Sequence, residues 1–287
     1  MNDPADQLAD TIKLYVHYPE KKKAVKPRKT VLMIGGLDHY RAGQSLTLDT
    51  LLPLNISVIN VDMPGTGDAP INGKDPNADA AYWKAILDWI YANGEEKGFD
   101  LDDLWVYGTS TGSYWAIKLA YGSEKERIKG VFAQGGTTHY TFTRDWLESA
   151  DKLAYPVDLW GPLASTFGYV GDHETFADIA GMYSLRDQGV LSSKPARLIG
   201  VNGVDDTVFP IDDYLLLAYN GTGAELRLFP GNGHMGEPGA GEFIGEFWLR
   251  PRIAVKKAGF RATNSARNRR HTAPLIENSC RTILYEQ

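Results

Sequence analysis

Short apolar runs bounded by Gly, Pro or Asp recur along the chain: Val31-Leu-Met-Ile34, Ile56-Ser-Val-Ile-Asn-Val61, Leu104-Trp-Val-Tyr107, Val131-Phe-Ala133, Arg197-Leu-Ile-Gly-Val201 and the weaker Leu226-Arg-Leu-Phe229. Such runs, apolar at successive positions, predict strands covered on both faces, as in a parallel sheet. Thr11–Tyr18 instead alternates with period two and stops at Pro19, which predicts a half-exposed edge strand. The basic stretch Lys21–Lys29 that follows predicts a solvated hairpin connection. Helical patterns fill the intervals. Asp75-Pro76-Asn77 resembles a helix start, and Tyr82, Trp83, Ile86, Leu87 and Ile90 form an apolar stripe that stops near Gly94. Thr111–Tyr121, Ile211–Tyr219 and Gly239–Leu249 supply three more helices. Strand and helix in alternation predict an α/β fold with a mostly parallel sheet flanked by helices.

One interval breaks this rhythm. From Gly135 to Pro195 about sixty residues pass without a strand signal, too many for an ordinary connection. Their aromatic residues, among them Trp146, Tyr155, Trp160 and Phe167, predict a helical cap over the carboxyl edge of the sheet. The expected organisation is therefore a core of residues 1–134 and 196–249, a cap of 135–195 and a tail of 250–287.

The 287 residues are 43% hydrophobic and 23% charged, which excludes a disordered or collagen-like chain. The net charge of −6 is uneven. Nine Lys or Arg against two Glu give the tail +7 and leave −13 for residues 1–249. An acidic body repels phosphate backbones, so nucleic acid is not an expected partner of the main domain. The basic tail is expected to be poorly ordered, or to act as an arm for a partner. Cys280 is the single cysteine and has no thiol to pair with or to share a metal with. No apolar run is long enough to span a bilayer. The opening Met1-Asn-Asp-Pro-Ala-Asp-Gln is acidic where a secretory signal is basic and then apolar, so a cytoplasmic location is expected.

The chemistry concentrates in three places. Gly108-Thr-Ser-Thr-Gly112 follows an apolar strand and opens a helix, the context of a nucleophile elbow, in which glycines two residues either side leave room for the turn that presents the serine. Ser110 is then the candidate nucleophile. A serine hydroxyl needs a base, itself oriented by an acid. His234 lies in Gly231-Asn-Gly-His-Met-Gly236 just after the last strand run, and is the candidate base. Asp205 and Asp206 follow the preceding strand; the spacing Gly203-x-x-Asp206-x-x-x-Pro210 favours Asp206, the alternative role being a helix cap. Acyl chemistry also needs donors aimed at a developing oxyanion. The backbone N–H groups of Thr111 and of Leu37, in the loop Ile34-Gly-Gly-Leu-Asp38, are the candidates, although Gly35-Gly36 also fits a simple turn. No cofactor and no metal site are expected.

These motifs occur in order with Asp38-x-Tyr40-Arg41, Asp62-Met-Pro-Gly-Thr-Gly67, Ala133-Gln-Gly-Gly136 and Tyr183-Ser-Leu185. Together they resemble the α/β-hydrolases of fungal pigment pathways, which include the heptaketide hydrolyase of the yellowish-green type. The fermentation-respiration switch esterase and 2,6-dihydroxypseudooxynicotine hydrolase are more distant relatives. The resemblance covers about Ile12 to Trp248. It implies an α/β-hydrolase fold, a triad of Ser110, Asp206 and His234, and an oxyanion hole of Leu37 and Thr111. It further implies a small-molecule substrate of polyketide type, shortened by hydrolysis of a C–C bond beside a carbonyl. A carboxylesterase or thioesterase of secondary metabolism is the alternative, and an inactive binding protein is the rival class. Members of the group carry a long helical segment before the first strand. Few residues precede Ile12 here, so the resemblance implies a less complete roof over the site. Homodimerisation stays open.

Overall fold

The computed structural model describes residues 12–20, 27–43, 45–150, 155, 158–219, 223–249 and 282–284. The six apolar runs and the alternating Thr11–Tyr18 segment become strands of one sheet, and the tail adds an eighth that the sequence pattern did not predict: β1 Tyr15–His17, β2 Arg28–Ile34, β3 Ser57–Val61, β4 Phe99–Thr109, β5 Gly130–Gln134, β6 Leu198–Gly203, β7 Glu225–Phe229 and β8 Thr282–Leu284. Their spatial order is β1-β3-β2-β4-β5-β6-β7-β8. β1 is antiparallel to β3 and every other pairing is parallel. The helices are α1 Ser45–Leu51, α2 Asp79–Lys97, α3 Thr111–Tyr121, α4 Arg144–Ser149, α5 Trp160–Thr166, α6 His173–Ile179, α7 Asp212–Tyr219 and α8 Gly239–Leu249.

The period-two geometry of a strand explains why the central runs are apolar throughout. Leu32, Ile34, Val106 and Val131 face α2 and α3, whereas Val31, Met33, Trp105 and Phe132 face α8. Ala240, Ile244 and Trp248 recur every fourth residue on α8 and close that second layer. A fully buried side chain of this size contributes about 1.5–3 kcal/mol.

Two expectations need correcting. Lys21–Lys29 does not close a hairpin, because β1 pairs with β3 while β2 lies on the other side of β3. Lys21–Lys26 are outside the described residues, and Arg28 is not solvated but buried, with its guanidinium on Ser57 Oγ and the Lys97 carbonyl. The second helix does not stop at Gly94. It continues to Lys97 and ends on Gly98 in the left-handed region, φ 72°. Gly94 lies inside the helix because a Cβ there would sit 2.8 Å from Leu101 of β4. Of the tail, only β8 falls among the described residues, so its expected disorder lies outside them.

Between Gly135 and Pro195 the described residues form α4–α6 and single 3-10 turns, with no strand. Phe142 and Phe167 from this segment pack on Tyr114 and Trp115 of α3, and Phe176 and Tyr183 pack on Phe167 behind them. The fully buried Asp213 carboxylate on α7 accepts from the hydroxyls of Thr137 (2.9 Å) and Thr138 (2.8 Å) and from the Tyr140 N–H (3.0 Å), fixing the segment's first turn. His139 is buried in the same turn, its Nδ1 2.8 Å from Ser184 Oγ. Burial, with Arg186 adding to it and Asp187 and Asp213 opposing it, holds its pKa below the usual value of 6.5. The unfolded chain therefore takes up a proton before the folded one as pH falls, and stability drops below about pH 6.5. Between about pH 7.5 and pH 5.5 the melting temperature of the wild type should fall further than that of His139→Gln. Equal slopes in the two proteins would show that His139 contributes no such dependence.

Candidate active site

β4 runs into α3 through Ser110, which adopts φ 48° and ψ −128°. A non-glycine residue rarely occupies this region, at a cost of about 1–3 kcal/mol. The turn is tight because its neighbours lack side chains. A Cβ on Gly108 would lie 2.6 Å from the Gly112 carbonyl oxygen, and one on Gly112 would lie 2.3 Å from that of Gly35. The Ser110 N–H donates to the Gln134 carbonyl at 2.7 Å, pinning the turn to the end of β5.

Asp206 lies three residues beyond β6. Its side chain is fully buried, and four groups converge on the carboxylate. Oδ1 accepts from the N–H groups of Val208 (2.7 Å) and Phe209 (3.1 Å). Oδ2 accepts from Asn202 Nδ2 (2.8 Å) and faces His234 Nδ1 at 3.0 Å. A carboxylate only accepts, so Nδ1 carries the imidazole proton and Nε2 is left as an acceptor. Nε2 lies 3.0 Å from Ser110 Oγ. The structure thus joins Ser110, His234 and Asp206 in one hydrogen-bonded string. Asp205 is not in it; its N–H bonds to the Asn232 carbonyl. Phe209, buried against Trp146, presents an edge to the His234 ring at 5.6 Å.

Thr111 follows the serine in the chain, and the Gly36-Leu37 backbone approaches it in space. A Cβ on Gly36 would fall 2.9 Å from Ser110 Cβ and 3.5 Å from Ser110 Oγ, so the backbone entering Leu37 passes directly over the nucleophile. Thr111 opens α3, whose N-terminus carries the positive end of the helix dipole. What fixes the loop beyond Leu37 was not read from the sequence. The Arg41 N–H donates to Asp62 Oδ1 at 2.7 Å, and the Arg41 guanidinium pairs with Asp62 and Asp68. The hydrogen bond to Asp68, then Asp62, raises the Arg41 pKa against the opposing effect of burial. The paired motifs holding Arg41 and Asp62 were the signal. Their mutual charge was the missing step.

A cavity of about 500 Å³ opens beside Ser110 and His234, walled by Leu51, Tyr107, Ile244 and Tyr155. Burial, then the Asp38 carboxylate to which it hydrogen-bonds, pushes the Tyr155 hydroxyl up to about 12. Of the four aromatic residues named for the expected cap, Tyr155 alone lines this cavity. Phe167 is fully buried in the core, stacked on Trp115, because the segment folds against α3. Trp160 packs on His173 and Trp146 on Phe209.

A parallel sheet with a serine at a strand-to-helix turn, an acid after a later strand and a histidine after the next defines the α/β-hydrolase fold. The backbone is similar to that of 2,6-dihydroxy-pseudo-oxynicotine hydrolase, with a TM-score of 0.61 and 19% identity over 83% of this chain and 64% of that one. It is also similar to the esterase EaEST from Exiguobacterium antarcticum, with a TM-score of 0.58 and 19% identity over 85% of this chain and 96% of that one. A soluble variant of monoglyceride lipase from Saccharomyces cerevisiae gives a TM-score of 0.59 and 17% identity over 83% and 91%. The chain belongs to the FrsA-like esterase family, whose model matches residues 5–233. No curated protein sequence matches it. The chain therefore spans just under two thirds of the length of the pseudo-oxynicotine hydrolase. No helix among the described residues is long and apolar enough to cross a membrane.

Proposed function

We propose that the chain is a serine hydrolase that cleaves an acyl bond through a covalent acyl-enzyme. The observation that carries this reading is the string Ser110–His234–Asp206, with 3.0 Å at each of its two contacts, opening on a cavity. Ser110 Oγ attacks the substrate carbonyl while His234 Nε2 takes its proton. The carbonyl oxygen, now an oxyanion, is held by the Leu37 and Thr111 N–H groups. Collapse breaks the scissile bond, and His234 returns the proton to the leaving group. Water then attacks the acyl-enzyme, gives its proton to His234 and releases the acid and free Ser110.

The leaving group decides the substrate. An alcohol or thiol leaving group needs no help beyond the proton from His234, which suits an ester or thioester and accords with the FrsA-like family. A carbon leaving group must be stabilised as an enol or a phenol ring carbon, which restricts C–C cleavage to β-dicarbonyl or acylated aromatic substrates. The ordered motifs shared with the polyketide-shortening hydrolases favour this second reading. Among the described residues, the cavity carries the carboxylates of Asp38 and Glu237 and no lysine or arginine, which favours an uncharged substrate over an anionic one.

A substrate panel tests both readings. An uncharged aryl ester should be hydrolysed at least about tenfold more efficiently than its succinate half-ester. If C–C cleavage is the activity, an aryl β-diketone should release its acid with kcat/KM above that of the aryl ester. Turnover of the ester with no turnover of the diketone would establish the esterase reading. Turnover of none of them, with no labelling by a fluorophosphonate, would leave a binding protein.

A further inference from the structure

We propose that Gln134 is a positioning residue that holds the His234 loop against the Ser110 turn; the inference rests on the serine-hydrolase reading. Gln134 ends β5, is almost fully buried, and bridges the Ser110 turn and the His234 loop. Its carbonyl accepts from the Ser110 N–H at 2.7 Å and lies 2.9 Å from the Ser113 hydroxyl. Its side-chain Nε2 donates to the Met235 carbonyl at 2.9 Å and to Glu237 Oε1 at 3.0 Å. Its Oε1 accepts from the Tyr107 hydroxyl on β4.

The orientation of the amide follows from its partners. A carbonyl and a carboxylate can only accept, so the NH2 group must face Met235 and Glu237, which leaves the oxygen for Tyr107. Both amide protons are then used on the loop that carries His234. That loop needs an anchor: Met235 adopts a positive φ of 70°, a conformation that side chains rarely hold unaided. Gln134 thus sets the Ser110 turn through its backbone and the histidine through its side chain, and the separation of the two is fixed by one rigid residue at the sheet's edge. Neither contact touches the reacting atoms.

The test uses the full chain, an aryl ester and a fluorophosphonate. Gln134→Met keeps the volume and removes all three side-chain bonds. It should lower kcat and the labelling rate by about 10²-fold with KM within about threefold, as displacement of a catalytic group by an ångström does. Tyr107→Phe should give a smaller loss, and little further loss in the Gln134→Met background, because the hydroxyl acts through the amide. Gln134→Glu supplies a readout that folding alone does not move. The introduced carboxylate repels the Met235 carbonyl and Glu237, while Tyr107 remains a donor on the other side. Its rate relative to the wild type should therefore rise as pH falls and the new carboxyl regains a proton to donate. The ratio removes any pH dependence common to the two proteins. If Gln134→Met does not fold, the Gln134→Glu ratio decides: a ratio flat with pH overturns the inference, as does a folded Gln134→Met with kcat within about threefold of the wild type. Failure of the wild type itself to label, or labelling that survives in Ser110→Ala, would instead overturn the serine-hydrolase reading beneath it.

Discussion

Ser110→Ala is expected to abolish fluorophosphonate labelling and to lower kcat on an aryl ester by about 10⁶-fold, while KM stays near that of the wild type. The loss is large because the reaction has no other nucleophile at that point. The imidazole 3.0 Å away has only water to activate, and water is neither bound covalently nor held in line. The same position gives a second, opposite effect on stability. Ser110 sits at φ 48°, ψ −128°, where any residue with a Cβ is strained. Alanine keeps that strain and should melt close to the wild type. Ser110→Gly releases it, less the extra entropy that glycine gains on unfolding, for a net gain of about 1 kcal/mol and a melting temperature higher by about 2–4 °C. The two inactive variants should therefore separate in a thermal melt. A glycine variant no more stable than alanine would mean that the turn is not the strained element it is taken to be. Labelling of the alanine variant would mean that another residue is the nucleophile.

That strain also explains why the site was legible before the fold was known. A serine forced into this turn requires glycines at Gly108 and Gly112, and the clash distances of 2.6 and 2.3 Å show why no other residue fits. The steric demand is local, so it is written in consecutive residues. His234 and Asp206 were legible for a related reason: each follows an apolar run closely enough that the strand's end fixes where it lies. The sheet's central strands were read the same way, from apolar residues at successive positions. What depended on distant partners was not. The hairpin expectation for Lys21–Lys29 failed because strand order is a property of the whole sheet, and β3 inserts between β1 and β2. Gly94 read as a helix stop because its reason, the side chain of Leu101, lies on another element. Phe167 read as a cap residue because periodicity does not say which surface an aromatic ring covers. The clamp of Arg41 on Asp62 and the three bonds of the Gln134 side chain were present as motifs without a role, since a hydrogen-bond partner 21 or 101 residues away leaves no spacing to read.

Replacement of Asp206 by Asn is expected to lower kcat by about 10⁴-fold with little change in KM, and the hydrogen-bond inventory gives the reason. In the wild type the carboxylate is surrounded by donors only: two backbone N–H groups, the Asn202 amide and the His234 Nδ1–H. An asparagine offers one acceptor and one NH2 group to that shell. If the NH2 turns toward His234, the ring must present Nδ1 as an acceptor, its proton moves to Nε2, and the base that should receive the Ser110 proton already carries one. If the NH2 turns the other way, it meets the N–H groups of Val208 and Phe209, donor against donor. The first arrangement costs catalysis and also sets the NH2 group against the Asn202 amide; the second keeps the ring tautomer but costs stability. Asp206→Ala removes the acceptor from both N–H groups and from Asn202, so it should match the Asn variant in rate but melt lower, each orphaned buried donor costing about 1–3 kcal/mol. Asp205→Asn, one residue away and outside the string, should keep kcat within about twofold, because Asp205 contributes its backbone N–H to the Asn232 carbonyl and its side chain to none of the bonds around His234. The comparison is a direct choice between neighbouring carboxylates: a loss of four orders of magnitude in the Asp205 variant with retained activity in Asp206→Asn would move the orienting acid to Asp205, and a loss in neither would mean that His234 works as a base without a carboxylate behind it.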